Sequence, residues 1–327
     1  MELRKDPITR SWVIVGHRED TCATTGGCPF CPDKADSRKV LLRLPSAGPS
    51  QVTVIPHPDP LFRVEGDPMR RADGIYDQMQ PIGADEIVIE TPEHNRKLED
   101  LNDDQILLVM DAWRSRVEDL KRDTRFKYVS IYKNYGPLAG QEGAHAHSQI
   151  SATTFMPRHL LYELRASREW YKEKERCVFC DIVKQEERQG KRVVDTQGEF
   201  VALCPYASRV PFEVWILNRK HNHMFEHPRP GSNRRNLAAL LRRVLRRIRK
   251  VAPAYHLVVH TAPNLIHPKG ETSTEYWKTI AADYHWHIEI LPIVETRSKS
   301  YSIKEIYYNA LMPEEAADRL RKLDPLV

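Results

Sequence analysis

One constellation of ligand-type residues occurs twice in this chain, in the same order. Cys28-Pro-Phe-Cys31 is followed by His94-Asn95 and by His145-Ala-His147, and Cys177-Val-Phe-Cys180 is followed by His221-Asn222 and by His285-Trp-His287. Each copy offers two thiols, one upstream imidazole and a His-x-His pair. Two sulfurs and two nitrogens are the donor set of tetrahedral zinc. The first set is Cys28, Cys31, His94 and His145; the second is Cys177, Cys180, His221 and His285, with His223, His227 and His260 competing for its third place. The ligands are far apart in sequence, so each metal would clip distant elements together, where loop closure gains most. Neither set leaves a position for water, so both metals are expected to be structural. The pattern predicts a duplicated unit with one histidine of each pair left over.

The 327-residue length allows about two domains. No run of about 18 apolar residues exists, so no membrane span is expected. The opening Met1-Glu-Leu-Arg-Lys-Asp6 is charged and has no signal-peptide core, which predicts a cytoplasmic location. There the two CxxC pairs read as metal ligands before disulfides, leaving Cys22 and Cys204 outside the sets. The net charge is +5, concentrated in Arg242-Arg-Val-Leu-Arg-Arg-Ile-Arg-Lys250. Leu240, Leu241, Val244, Leu245 and Ile248 fall on the opposite helical face. With no interleaved aromatics, this is a solvated helix face rather than a nucleic-acid surface.

Alternating segments predict antiparallel strands at 11–15, 51–55, 86–90, 128–132 and 147–152, and again at 200–203, 212–217, 255–260 and 285–291. Long amphipathic helices are expected from an Asp103 N-cap through Leu120, over the Leu160–Lys184 region, and at Leu237–Val251. Segments 33–50 and 65–82 have the composition of loops. A boundary near residue 167 gives halves of 1–167 and 168–327.

The reactive candidate is Gly140-Gln-Glu-Gly-Ala-His145-Ala-His147-Ser-Gln149, a glycine loop running into a strand. Gly140 and Gly143 can expose backbone N–H groups to an anion. His147 is two residues from the ligand His145, on the same side of an ideal strand, so a bend must separate their targets. An imidazole fixed in one tautomer by a carbonyl is a competent nucleophile toward phosphorus, and the Gln149 amide suits a phosphoryl oxygen. In the second copy His287 is read as structural, because Trp286, Ile288 and Ile290 surround it and no glycine loop precedes it.

These residues make the chain resemble the galactose-1-phosphate uridylyltransferase family of the histidine-triad superfamily. The resemblance runs over nearly the whole length: Arg4-Lys-Asp-Pro-Ile-Thr-Arg-Ser-Trp-Val-Ile-Val15, Cys28-Pro-Phe-Cys31, Glu86-Ile-Val-Ile-Glu-Thr-Pro-Glu-His94, His145-Ala-His-Ser-Gln149 and Asn309-Ala-Leu-Met-Pro-Glu-Glu-Ala-Ala317. It implies an α+β fold of two histidine-triad-like halves, each an antiparallel sheet with packed helices, and a homodimer. It implies ping-pong nucleotidyl transfer. His147 would attack the α-phosphorus of an NDP-sugar, expel a sugar 1-phosphate, and pass the nucleotidyl group to a second sugar 1-phosphate or to phosphate. Gln149 matches a phosphoryl contact, Arg18 a nucleotide contact and Asn134 a residue near the phosphates. UDP-glucose with galactose 1-phosphate is the leading pair; a phosphorylase using ADP-glucose or a dinucleoside polyphosphate is the nearest alternative. A hydrolase and a non-catalytic nucleotide-binding protein are further ones. The resemblance also offers a different second metal set, Glu163, His260, His285 and His287; the CxxC favours zinc on Cys177 and Cys180. The chain departs from the family pattern at Glu142-Gly143 for Ser-Leu, Ala146 for Pro, His57-Pro58 for an Asn region, and Ser298-Lys-Ser-Tyr-Ser-Ile-Lys-Glu305 for a glycine-rich segment.

Overall fold

The computed structural model describes residues 1–16, 27–35, 39–228, 230–266, 277–294 and 306–325. In chain order the first elements are β1 (Glu2–Lys5), β2 (Trp12–Val15), α1 (Pro32–Ala35), β3 (Leu42–Leu44), β4 (Val52–Pro56), β5 (Arg71–Asp73), β6 (Tyr76–Met79), β7 (Gly83–Ile89), α2 (Asp103–Leu120), β8 (Tyr128–Tyr135) and β9 (His147–Thr153). They are followed by α3 (Arg158–Lys174), α4 (Val178–Gln189), β10 (Val193–Gln197), β11 (Phe200–Leu203), β12 (Val214–Asn218), α5 (Arg234–Val251), β13 (Ala254–His260), α6 (Ile280–Asp283), β14 (His287–Ile293) and α7 (Pro313–Lys322).

Ten strands form one antiparallel sheet in the order β10-β11-β12-β14-β13-β8-β9-β7-β4-β3. The order is a repeat. Counted from its outer edge inward, each half places its first three strands, then its last, then its fourth, and each inserts its long helix, α2 or α5, before the fourth strand. The halves do not make two separate sheets. Strands β8 and β13 pair antiparallel from Tyr135↔Tyr255 to Ile131↔Val259, so one sheet runs through the molecule. At the seam the Tyr135 and Tyr255 rings stack at 4.7 Å. A Cβ on Gly136 (φ +84) would lie 2.8 Å from the Pro253 carbonyl, which is why glycine stands there.

Strand alternation gives this sheet two different faces. Val52, Val54, Val88, Val129, Ile131 and Ile150 join Ile106, Val109, Trp113 and Val117 of α2 and the apolar side of α5 in one buried core. On the other face, Val201, Leu203 and Leu217 of the second half are covered by Leu160 and Leu164 of α3 and Phe179 of α4. In the first half that same face is capped by Phe30 over Ile55, Ile87 and Ile89, and beside this cap it is polar. Ser130, Tyr132, Asn134 and Ser151 are half-buried there.

Helix α2 is capped by Asn102, not Asp103. The Asn102 side chain accepts from Gln105 N–H at 2.8 Å while the Gln105 side chain accepts from Asn102 N–H at 3.2 Å, a reciprocal box. The Leu160–Lys184 region is two helices, parted at Glu175, whose φ is +54. Segment 33–50 contains β3, and segment 65–82 contains β5 and β6, which complete a second, four-stranded sheet β2-β1-β6-β5. Residue 167 lies inside the unbroken helix α3.

The basic face of α5 is not simply solvated. Arg234 pairs with Asp111, Arg242 with Asp103 at 2.9 Å, Arg243 and Arg247 with Asp195 at 2.9 and 2.5 Å, and Arg249 with Glu99 and Asp100 at 3.1 and 2.9 Å. The helix meets an acidic surround supplied by α2, β10 and the 98–100 turn, so the charge is consumed within the protein. Among the described residues no helix is long and apolar enough to cross a membrane.

Candidate active site and metal centres

The two predicted ligand sets each converge. Cys28, Cys31, His94 and His145 form one group and Cys177, Cys180, His221 and His285 another, with all ligand atoms of a group within 4.8 Å of one another. In the first, Cys31 Sγ lies 3.5 Å from His94 Nδ1 and 3.7 Å from His145 Nδ1, and Cys28 Sγ lies 3.6 Å from His145 Nδ1. In the second, Cys180 Sγ lies 3.4 Å from His221 Nδ1 and 3.5 Å from His285 Nδ1. A tetrahedron with Zn–S of about 2.3 Å and Zn–N of about 2.0 Å has S···N edges of roughly 3.5 Å, so both groups fit the metal. His145 Nε2–H donates to Thr91 O at 2.7 Å and His221 Nε2–H to Ala281 O at 2.9 Å, which turns each Nδ1 lone pair toward the sulfurs. A hydrogen bond from Cys177, and then those of His221 and His285, holds the Cys180 thiol below its ordinary range against the effect of burial. Of the competitors for the third place in the second set, His227 faces Glu118 at 3.6 Å and His260 faces Glu163 at 3.0 Å; His223 does not enter the group.

His147 opens β9, and this start supplies the bend that separates it from His145. Its Nδ1–H donates to the His145 carbonyl at 2.8 Å. A carbonyl can only accept, so the proton sits on Nδ1 and Nε2 keeps a lone pair. Burial first, then the Lys133 ammonium, lowers the pKa of this ring to about 4, so it is neutral at pH 7. Phe30, held between the two cysteine ligands, packs its ring 4.8 Å from the imidazole. From the opposite side of the sheet Lys133 Nζ donates to His147 O at 2.9 Å and to Glu90 Oε2 at 2.8 Å, both side chains being wholly buried.

Polar groups of β8 and β9 share this face of the sheet with the ring. Tyr132 pairs with Gln149 across β8 and β9, so Asn134, two residues along, is level with His147. The Gln149 amide makes no hydrogen bond within the described residues. Gly140 takes the left-handed conformation (φ +72), but its N–H is used on Pro137 O at 3.0 Å. Gly143 (φ +78) is open on its Cβ side. His57, at the end of β4, accepts from Asp59 N–H at Nδ1 (3.1 Å), leaving an Nε2–H that faces the exposed Glu142 carboxylate at 3.4 Å. Arg18 and the 298–305 segment lie outside the described residues.

The second copy has the same skeleton and a different outcome. His287 opens β14, its Nδ1 is 3.2 Å from His285 O, and Phe179 stands 4.8 Å away. Its Nε2, however, faces the carboxylates of Glu163 and Glu289, each at 3.8 Å, beneath α3. Glu163, His260 and His287 form a third group with ligand geometry. His285 turns its Nδ1 to Cys180 instead, so the four-membered alternative set is divided between two groups.

Comparison with known proteins gives the lineage. The galactose-1-phosphate uridyl transferase N-terminal domain matches residues 63–157 and the C-terminal domain of the same name matches 163–326. The chain belongs to the galactose-1-phosphate uridylyltransferase family. Among family relatives, a galactose-1-phosphate uridylyltransferase of Thermotoga maritima is 27% identical over 99% of this chain and 99% of its own length. An ADP-glucose phosphorylase of Arabidopsis thaliana is 26% identical over 98% of this chain and 93% of its own. A solved uridylyltransferase structure superposes with a TM-score of 0.81 at 27% identity, covering 98% of this chain and 97% of that one. The Arabidopsis ADP-glucose phosphorylase with bound ADP-glucose gives 0.78 at 26%, covering 99% of each. The chain is thus a family enzyme of the uridylyltransferase or phosphorylase kind, with an α+β fold built of antiparallel sheets.

Missed from the sequence were Lys133, Glu90 and His256. A lysine directly after the Tyr128–Tyr132 run was the one available signal.

Proposed function

We propose that this protein transfers a nucleoside monophosphate from an NDP-sugar through a covalent intermediate on His147. The observation that carries the proposal is the neutral, tautomer-fixed imidazole of His147 beside a polar, half-buried stretch of sheet. The Nε2 lone pair forms a bond to the α-phosphorus. The bond from phosphorus to the bridging oxygen breaks, and the sugar phosphate leaves with the electron pair. In this reading Gln149, Asn134 and the Gly143 N–H meet phosphoryl oxygens, where charge spreads in the transition state; Arg18 joins them by family resemblance. The acceptor then attacks the phosphoramidate and regenerates the histidine. Zinc on Cys28, Cys31, His94 and His145 would hold the loop that carries Phe30, and zinc on Cys177, Cys180, His221 and His285 would do the same in the second half. The division into 1–167 and 168–327 is then one of task, with the nucleophile in the first part, and a homodimer is the assembly we infer.

Two donor readings have support. The Thermotoga relative favours UDP-glucose with a hexose 1-phosphate acceptor, our leading choice. The Arabidopsis relative, nearly as long in its match, favours ADP-glucose with phosphate. Intact-mass spectrometry after incubation with UDP-glucose or ADP-glucose, without acceptor, decides: the added mass names the nucleotide. His147→Gly should show no adduct with either. An adduct persisting in that variant would overturn the assignment.

A further inference from the structure

The seam between the halves places a second-half side chain beside the candidate site. His256 on β13 pairs with Asn134 on β8. Its Nδ1 lies 2.9 Å from Asn134 Oδ1. An amide oxygen only accepts, so His256 Nδ1 carries the hydrogen and donates it. The amide is thereby fixed one way round: its oxygen is turned to His256 and its NH2 has no hydrogen-bond partner among the described residues, on the same half-buried stretch of sheet as Gln149 and level with His147. Burial holds His256 below the ordinary histidine range, so the ring is a neutral donor at pH 7.

We infer that His256 is a positioning residue for Asn134, holding its amide so that N–H rather than oxygen meets a phosphoryl oxygen at His147. Freed from this donor, the Asn134 amide can rotate half a turn. It then offers an oxygen to an anion, replacing attraction with repulsion at the moment charge develops. A donor set beforehand acts without reorganisation, which is what makes such groups effective. This inference rests on the reading of His147 as the nucleophile, and it makes the second half a contributor to the first half's site.

The test is a double-mutant cycle on the full-length protein, using whichever donor labels the wild type. His256→Leu should slow single-turnover adduct formation by about tenfold to a hundredfold while the half-saturating donor concentration changes less, as Asn134→Ala should. The double variant should be no slower than Asn134→Ala alone. His256→Asn, whose amide N–H2 can replace Nδ1–H, should recover most of the rate and shows that the site still folds. Additive losses, or an unchanged rate in His256→Leu, would overturn the inference. If no donor labels the wild type, the parent reading fails separately. The same four proteins are then titrated with inorganic pyrophosphate, where non-additive weakening supports the positioning role and additive or absent weakening overturns it.

Discussion

His147 and His287 share a local sequence, a place at the head of a strand and a phenylalanine at 4.8 Å. They differ in what Nε2 meets. For His287 it meets two carboxylates under a helix; for His147 nothing among the described residues occupies it. That difference was only partly legible: a glycine loop precedes His147 alone, but the apolar neighbours of His287, namely Trp286, Ile288 and Ile290, belong to the core on the other face of the sheet. The ligand sets were legible too, since cysteine and histidine spacing carries its own chemistry. Lys133, Glu90 and His256 were not, because each acts across strands whose register no local pattern encodes. His57 and Glu142 were visible only as two separate departures, and the fold brings them within 3.4 Å. At this scale the metal reading is directly measurable. Cys31→Ser should lower bound zinc from two equivalents per chain to one, Cys180→Ser should do the same, and the double variant should bind none. Elemental analysis of purified protein reads this, and two equivalents retained in either single variant would contradict the ligand assignment.

At the level of elements, the long helices and most sheet strands were foreseeable because their apolar periods are strong. β1, β3, β5, β6 and β10 were not. Arg71–Asp73 is exposed throughout and owes its strand character to pairing with Tyr76–Met79, not to side-chain pattern. The basic helix teaches a similar lesson: its charge was plain, but its acidic partners come from three other elements. Asp195 shows the energetic weight of this. Burial alone would raise its carboxyl, but hydrogen bonds from Arg243 and Arg247 hold it below the ordinary 3.8. A depressed carboxylate adds stability above its unfolded-state pKa and loses it as pH falls through the folded value. Asp195→Asn should therefore cost about 2 kcal/mol at pH 7. The gap to wild type should narrow below about pH 4. Denaturant titrations at pH 7 and pH 3 would show it, and a gap that widens in acid would reject this account.

Across the whole molecule, the seam is bolted by buried polar groups as well as by strand pairing. Lys121, just past α2, donates to Glu226 Oε1 at 2.5 Å and to Ala262 O at 2.7 Å, and Thr261 donates to Glu226 Oε2 at 2.7 Å. Asn264 donates back to Lys121 O and Phe126 O, both at 2.9 Å. Lys121 and Glu226 are fully enclosed. Removing one partner strands a buried charge, so Glu226→Leu should cost about 3–5 kcal/mol. Adding Lys121→Met should restore much of that loss, and a double variant less stable than the single one would refute the pairing. The halves should also unfold together, in one calorimetric transition.

The repeated strand order has one more consequence. Two identical chains paired edge to edge must carry the same residues at both equivalent positions, so a change that improves one pocket is imposed on the other. Joining the copies in a single polypeptide lifts that obligation: one imidazole can face carboxylates beneath a helix while its twin borders a polar stretch of sheet, and the first copy is free to lend side chains such as His256 to its neighbour.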